Sequence, residues 1–218
     1  TMLVKDLNPG AGNSLPDLLT NANGTLFFAA VDPFNGRELW KSDGTAPGTV
    51  LVKDIRAGSG GANPANLTNV NGMLFFTADD GINGVELWKS DGTVGGTVLV
   101  KDILVGNASA SPFHLVNVNG TLFFAVDGLV NGRQLWKSDG TEAGTILLRA
   151  NFSRDSDLPL NSASIGPMLF FAAGGGSNAV GLWKSDGTPA GTVLVKHFSG
   201  GTPVVSNLTA VNGTLFFT

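Results

Sequence analysis

An eight-residue segment, Glu-Leu-Trp-Lys-Ser-Asp-Gly-Thr, stands at 38–45 and again, unchanged, at 86–93. It returns with only its first residue altered at Gln134 to Thr141 and at Gly181 to Thr188, so the four tryptophans, Trp40, Trp88, Trp136 and Trp183, are spaced 48, 48 and 47 residues apart. Two further elements keep the same period. Leu-Val-Lys-Asp occupies 3–6, 51–54 and 99–102, and decays to Leu147-Leu148-Arg149-Ala150 and Leu194-Val195-Lys196-His197. Asn-Gly-x-Leu-Phe-Phe begins at Asn23, Asn71, Asn119 and Asn212, and its remaining copy reads Gly166-Pro167-Met168-Leu169-Phe170-Phe171. These Phe-Phe pairs hold ten of the 14 phenylalanines, so the aromatic content belongs to the repeat rather than to one pocket. A self-similar unit of this size cannot bury its apolar surface alone and must stack against its copies.

Each unit reads as four short strands. In the second, Leu67 to Val70 precedes an Asn71-Gly72 turn that needs positive φ at both residues, which Asn and Gly adopt cheaply. Met73 to Ala78 follows as an apolar run bounded by turn signals, the pattern of a strand covered on both faces. After a loop at 79–84, Val85 to Ser90 is the Trp-bearing third strand; the Asp91-Gly92-Thr93 connection then leads to Thr97 to Asp102, the fourth. No stretch has helical periodicity. Four antiparallel strands in about 48 residues leave two apolar faces open, and radial packing of copies closes them. The expected fold is therefore all-β, a β-propeller of four-stranded antiparallel blades, about five in this chain with the last incomplete. A β-solenoid is the alternative, but its coils are shorter and lack repeated Asn-Gly hairpins.

The run Glu-Leu-Trp-Lys-Ser-Asp-Gly-Thr, followed by Gly-Thr-Val-Leu-Val-Lys-Asp-Ile, resembles the ELWxxDGT repeat family of bacterial proteins, and the resemblance covers nearly the whole chain. It implies a large, secreted or cell-surface repeat protein. The fourth unit departs most from the pattern, at Arg149-Ala150, Gly166-Pro167 and Gly174-Gly175-Gly176.

As one propeller domain over 1–218, the chain divides into a lone outer strand at 1–6, full repeats at 17–55, 65–103, 113–150 and 158–197, and a partial repeat at 206–218. That is nineteen strands, one short of five blades, and the missing piece is a Trp-bearing third strand. The chain then reads as an excerpt of a longer polypeptide and part of a larger ring; alternatively, 1–6 closes a five-bladed ring imperfectly, or a partner chain completes it.

Composition narrows the function. With 0 cysteines there is neither a disulfide framework nor a thiolate metal site. A net charge of −4 and a pI near 5.0 oppose nucleic-acid backbone binding. No apolar run reaches the roughly 18 residues of a helical membrane span. The tryptophans read as blade-to-blade packing rather than sugar platforms. Asp43, Asp91, Asp139 and Asp186 resemble the Asp-box of sialidase propellers, but one carboxylate per turn does not supply the six to eight oxygens of calcium, so an Asx turn is expected. No cofactor is predicted, with calcium alone left open. Lys41, Lys89, Lys137 and Lys184 are expected on solvated or paired faces. His114 and His197 are the only histidines; His197 replaces an outer-strand Asp and is expected at the surface. Neither a Ser-His-Asp arrangement nor a carboxylate pair for glycoside hydrolysis is indicated, because the acids recur unit by unit.

The Asn-Gly turns and Asp-Gly-Thr connections barely vary and share one end of the blades. The loops between second and third strands, and those between units, vary and share the other. A ligand site is expected there, around Asp32, Asn35, Arg37, Asp80, Asn83, Asp127, Asn131 and Arg133. The function expected is non-enzymatic: a binding or scaffold module, carbohydrate-binding by fold analogy. A purely structural unit or a propeller glycoside hydrolase are the alternatives. The partners expected are glycans or other surface proteins, with self-association through unpaired strand edges as a further route.

Overall fold

The computed structural model describes residues 1–128, 132–153, 158–159, 161–175, 179–198 and 205–218. Every regular element among them is a strand. β1 (Asp17–Ala22), β2 (Thr25–Asp32), β3 (Gly36–Ser42) and β4 (Val50–Lys53) pair antiparallel in chain order as the first blade. β5 (Ala65–Val70), β6 (Met73–Asp79), β7 (Val85–Ser90) and β8 (Val98–Lys101) repeat the arrangement as the second. The third comprises β9 (Phe113–Val118), β10 (Thr121–Asp127), β11 (Arg133–Ser138) and β12 (Ile146–Phe152), and the fourth β13 (Ser162–Ile165), β14 (Met168–Gly175), β15 (Ala179–Ser185) and β16 (Val193–His197). β17 (Thr209–Val211) and β18 (Thr214–Phe216) form a final hairpin. The chain makes two compact units, 1–111 with the first two blades and 112–218 with the rest. Residues 1–6, expected as a lone outer strand, take no sheet pairing.

The hairpins form for the reason the sequence supplies. At the first, Asn23 (φ 52) and Gly24 (φ 81) both adopt positive φ, the backbone whose twist matches the strands on either side. Beyond the turn, register sets Phe28 opposite Trp40, Phe76 opposite Trp88, and Phe171 opposite Trp183. The third and fourth strands then slip by one residue beside each tryptophan: Leu39 faces Lys53, but Trp40 faces Leu51. The extra residue in the outer strand is Val52, repeated as Val100 and Leu148, and all three are buried. This bulge lets the outer strand set a valine into the core while its lysine still reaches the neighbouring blade.

The core lies between blades. In unit 1, Ala22, Phe27, Leu39, Val52 and Ile55 of the first repeat pack on Leu74, Phe76, Ala78 and Trp88 of the second. In unit 2, Val118, Phe123, Leu135, Leu148 and Phe152 do the same to Leu169, Phe171, Ala173 and Trp183. Phe152 meets Trp183 edge-on at 5.1 Å, and the Arg149 guanidinium lies 4.5 Å above the Trp183 ring. Polar links cross the same seam. Lys53 Nζ donates to the Thr97 carbonyl (2.8 Å), Asn69 Nδ2 to the Asn21 carbonyl (2.9 Å), and Lys41 Nζ to the Gly92 carbonyl (2.7 Å). Lys41, expected on a solvated or paired face, is a tie between blades. Residues 1–7 reproduce part of the seam on the first blade: Lys5 Nζ donates to the Thr49 carbonyl (2.7 Å), and Leu7 packs on Phe28, Ala30 and Trp40.

Because Trp88 is enclosed by side chains of two blades, Trp88→Ala leaves a cavity that neither sheet can collapse to fill. We expect a loss of about 3–5 kcal/mol in denaturant unfolding. Unchanged stability would show that the indole does not hold the seam.

Candidate functional site

The end carrying the Asp-Gly-Thr connections is built from a self-contained hydrogen-bond cage. Asp43 Oδ1 accepts from Thr45 N (2.8 Å) and from Thr45 Oγ1 (2.7 Å), and Thr45 Oγ1 in turn accepts from Gly48 N (3.0 Å). Thr49 Oγ1 donates to the Thr45 carbonyl (2.7 Å), so in its 2.7 Å contact with Ser42 the serine hydroxyl must donate. Ser42 Oγ then accepts from Gly44 N (3.0 Å). The same bonds recur around Asp91, Asp139 and Asp186. The Thr45 hydroxyl and amide hold the Asp43 carboxyl below its ordinary range, and the other three follow suit. The glycine five residues on is a packing requirement: a Cβ on Gly48 would lie 2.0 Å from Asp43 Oδ1. The Asx turn read from sequence is what these aspartates form.

Of the eight residues expected to form a site at the variable end, seven fall within the described residues and Asn131 lies outside them. Asp32 Oδ1 accepts from the amides of Phe34 and Asn35 (both 2.7 Å), and its Oδ2 accepts from Asn35 Nδ2 (2.7 Å). Asp80 does the same with Ile82, Asn83 and Asn83 Nδ2. Burial alone would raise the Asp32 carboxyl, but the bonds from Asn35 and Phe34 together hold it low, and Asp80 behaves alike. Arg37 pairs with Asp17, and Arg133 Nε donates to Asp127 Oδ1 (2.9 Å) while its guanidinium lies 4.6 Å over Phe113. The structure therefore pairs Asp32 with Asn35, Asp80 with Asn83 and Asp127 with Arg133, each within one repeat, whereas Arg37 turns to Asp17 on β1. The loops so braced point an apolar residue outward at equivalent places: Phe34 is 79% exposed and Ile82 72%.

Sequence reasoning missed Glu38 and Glu86, which open the eight-residue motif. Both are fully buried. Glu38 Oε1 accepts from the amides of Arg56 (3.1 Å) and Ala62 (2.8 Å), and Glu86 from those of Ile103, Leu104 and Ala110. Each carboxylate thus clasps the loop that leaves its own blade. Burial outweighs these amides and pushes both carboxyls up to about 7; Glu38 Oε2, buried without a partner, adds to the cost of ionisation. In the third repeat the position is Gln134, whose Oε1 accepts instead from Trp136 Nε1 (2.9 Å). In the fourth it is Gly181, where a Cβ would meet Leu194 Cδ1 at 2.5 Å. The two histidines stand apart: His197 is exposed, and His114 Nδ1 lies 3.3 Å from the Leu158 carbonyl. Among the described residues no three His, Cys, Asp or Glu side chains gather as a metal cluster.

Repeated four-stranded antiparallel blades, packed face to face through aromatic seams, define the fold as that of the β-propellers. Solved structures agree. A puromycin hydrolase is similar over 93% of this chain and 32% of its own, at 14% identity and a TM-score of 0.53. A puromycin-hydrolysing peptidase from Mycobacterium tuberculosis is similar over 95% of this chain and 34% of its own, at 12% identity and a TM-score of 0.51. The chain thus spans about a third of each, and the likeness is one of fold. No protein-family model matches the chain, and no curated protein matches it.

Two outcomes follow from these clusters. A methyl group at Gly96 must displace the Asp91 carboxyl, which it would approach to 2.1 Å; Gly96→Ala should cost about 1–3 kcal/mol and lower the melting temperature. The raised carboxyls of Glu38 and Glu86 make the folded chain hold protons that the unfolded chain has released. Stability from this source is full below about pH 4.5 and is lost as pH rises through about 7. A Glu38→Gln/Glu86→Gln variant keeps the amide acceptors, and its melting temperature should stay flat between about pH 5 and 8 while that of the parent falls.

Proposed function

We propose that the chain is a non-catalytic scaffold module of a secreted or cell-surface bacterial protein. The observation that carries this reading is the deployment of its acids and arginines. Asp32, Asp80 and the four Asp-Gly-Thr aspartates each accept from the backbone of their own turn, and Arg37, Arg56 and Arg133 are paired with Asp17, Asp79 and Asp127. Groups spent in this way, in equivalent places from repeat to repeat, suit a frame that must hold shape. General acid-base chemistry instead asks for two differently tuned groups converging on one substrate atom.

A second reading, recognition of glycans or protein surfaces, draws on one feature. The Asp32 and Asp80 turns are rigid and present Phe34 and Ile82 to solvent, the arrangement of an apolar contact held ready on a fixed loop.

A glycan array probed with the purified chain, once with calcium and once with chelator, separates the two. The scaffold reading expects no sugar class above background in either condition, and no turnover of chromogenic glycosides. Binding that Phe34→Ala abolishes without altering the melting temperature would transfer the assignment to recognition.

A further inference from the structure

Glutamate and tryptophan stand two residues apart on β3 and on β7, so their side chains share one face of the strand. One step beyond the paired Leu39–Lys53 and Leu87–Lys101, the register sets Glu38 opposite Asp54 and Glu86 opposite Asp102. The fourth blade carries the ladder through that step, with Gly181 opposite His197. Side chains directly opposite across antiparallel strands lie on one face, and like charges placed so repel. Burial, against the pull of the loop amides, and the charge of the facing aspartate push both glutamate carboxyls up to about 7.

In the second repeat three polar groups thus meet on the face that packs against the first blade. Asp102 spends Oδ2 on the Gly106 amide (3.0 Å), while its Oδ1 is buried without a hydrogen-bond partner among the described residues. The Trp88 Nε1 is buried without one as well, on a side chain only 6% exposed. The Glu86 carboxyl beside it is turned to the amides of Ile103, Leu104 and Ala110 rather than to the indole. The first repeat has the same set: Trp40 Nε1, Asp54 Oδ1 and Glu38 Oε2 are buried and unpartnered.

The other two repeats show where the indole N–H points and what accompanies the loss of the acids. In the third, Gln134 and Ala150 stand for Glu and Asp, and Trp136 Nε1 donates directly to Gln134 Oε1 (2.9 Å). In the fourth, Gly181 and His197 stand there, and Trp183 Nε1 donates to the Ala173 carbonyl (3.1 Å). A Cβ on Gly181 would lie 3.4 Å from that Nε1, so the N–H borders the position that glutamate takes in the first two repeats. Both acids occur together where the N–H lacks a protein partner, and both are missing where it has one.

We propose that Glu86, Trp88 and Asp102, and likewise Glu38, Trp40 and Asp54, form a binding site for one internal water molecule, which accepts from the indole N–H and donates a hydrogen to each carboxyl group. A buried water makes about three hydrogen bonds to otherwise unsatisfied polar groups, and one donor beside two acceptors matches it. A cation matches poorly: it would face the indole hydrogen, and among the described residues no cluster of three His, Cys, Asp or Glu side chains joins the site. One enclosed molecule meets the unpaired Glu38 Oε2 yet leaves both glutamates cut off from bulk solvent. The site goes beyond the scaffold reading and does not rest on it.

NMR of the parent chain tests it, because the four tryptophans give four indole N–H resonances in one sample. Trp40 and Trp88 should show cross-relaxation with a long-lived water, and Trp136 and Trp183 should show none. Oxygen-17 relaxation dispersion, which is blind to exchanging carboxyl protons, should lose the amplitude of one water in Glu86→Gln/Asp102→Ala. That variant copies the third repeat and frees an amide oxygen to accept from the indole directly. A Trp88 resonance without water contact overturns the proposal, as do equal contacts at all four indoles or an unchanged amplitude in the folded variant. Should the variant misfold, the contrast among the four indoles of the parent still decides. A shift of the Trp88 resonance on adding calcium, with loss of its water contact, would assign the site to a cation and overturn the water. Glycan binding on the array would displace the scaffold reading and leave this result standing.

Discussion

Each sheet in this chain is apolar on both faces, and a lone antiparallel sheet has no way to dry two faces at once. The seam between neighbouring blades is the solution. One repeat supplies a phenylalanine, a leucine and a bulged valine or leucine, and the next receives them around a Phe-Trp pair. Burial at this seam drives association of the blades, and the directed bonds across it fix how they sit. Lys41 and Lys53 end on carbonyls of the second blade, and Asn69 reaches back to a carbonyl of the first. The apolar contacts are non-directional and would tolerate sliding; a lysine that must end on one particular carbonyl does not.

The polar residues follow a second rule, that every turn satisfies itself. In the Asp-Gly-Thr cage, three hydroxyls and one carboxylate satisfy three amides and a carbonyl within eight residues. Glu38 and Glu86 do the longer-range counterpart by capturing amides of the outgoing loop, and this puts a carboxyl at zero exposure. The two kinds of acid are tuned in opposite directions for one reason. The turn aspartates remain near water and gain hydrogen bonds, whereas the glutamates gain hydrogen bonds but lose water altogether.

Strands, turns and seams were largely legible in the sequence, because they rest on short-range signals repeated four times. Asn-Gly could only be a tight hairpin, and the Phe-Phe after it stands at a fixed distance from Trp along the chain. Three things were not. The bulge at Val52 has no signature in Leu-Val-Lys-Asp, which reads as plain alternation; it follows from the need to bury valine while lysine bridges. The role of Glu38 depends on amides about twenty residues away, and nothing at 56 or 62 announces them. The side chains picked out at the variable end are polar residues of those loops, but their partners lie close by in the same turn, as Phe34 and Asn35, two and three residues on, are to Asp32. A count of polar residues on a loop does not distinguish a hand held out from one gripping its own wrist. The unvarying Asp-to-Asn spacing at 32–35 and 80–83 was the available clue.

The closed economy of the Asp-Gly-Thr cage bears on how such a chain could have grown. All its bonds lie within one stretch of eight residues, and the ties between blades recur at one constant separation, as in Lys5 to Thr49 and Lys53 to Thr97. A tandem copying error of one 48-residue period therefore inserts a blade that brings its own turns and finds both neighbours already shaped to meet it. Lengthening the gene by whole periods leaves no donor stranded. The unchanged eight-residue motif of the first two copies and the drift of the fourth are the record that such duplication would leave.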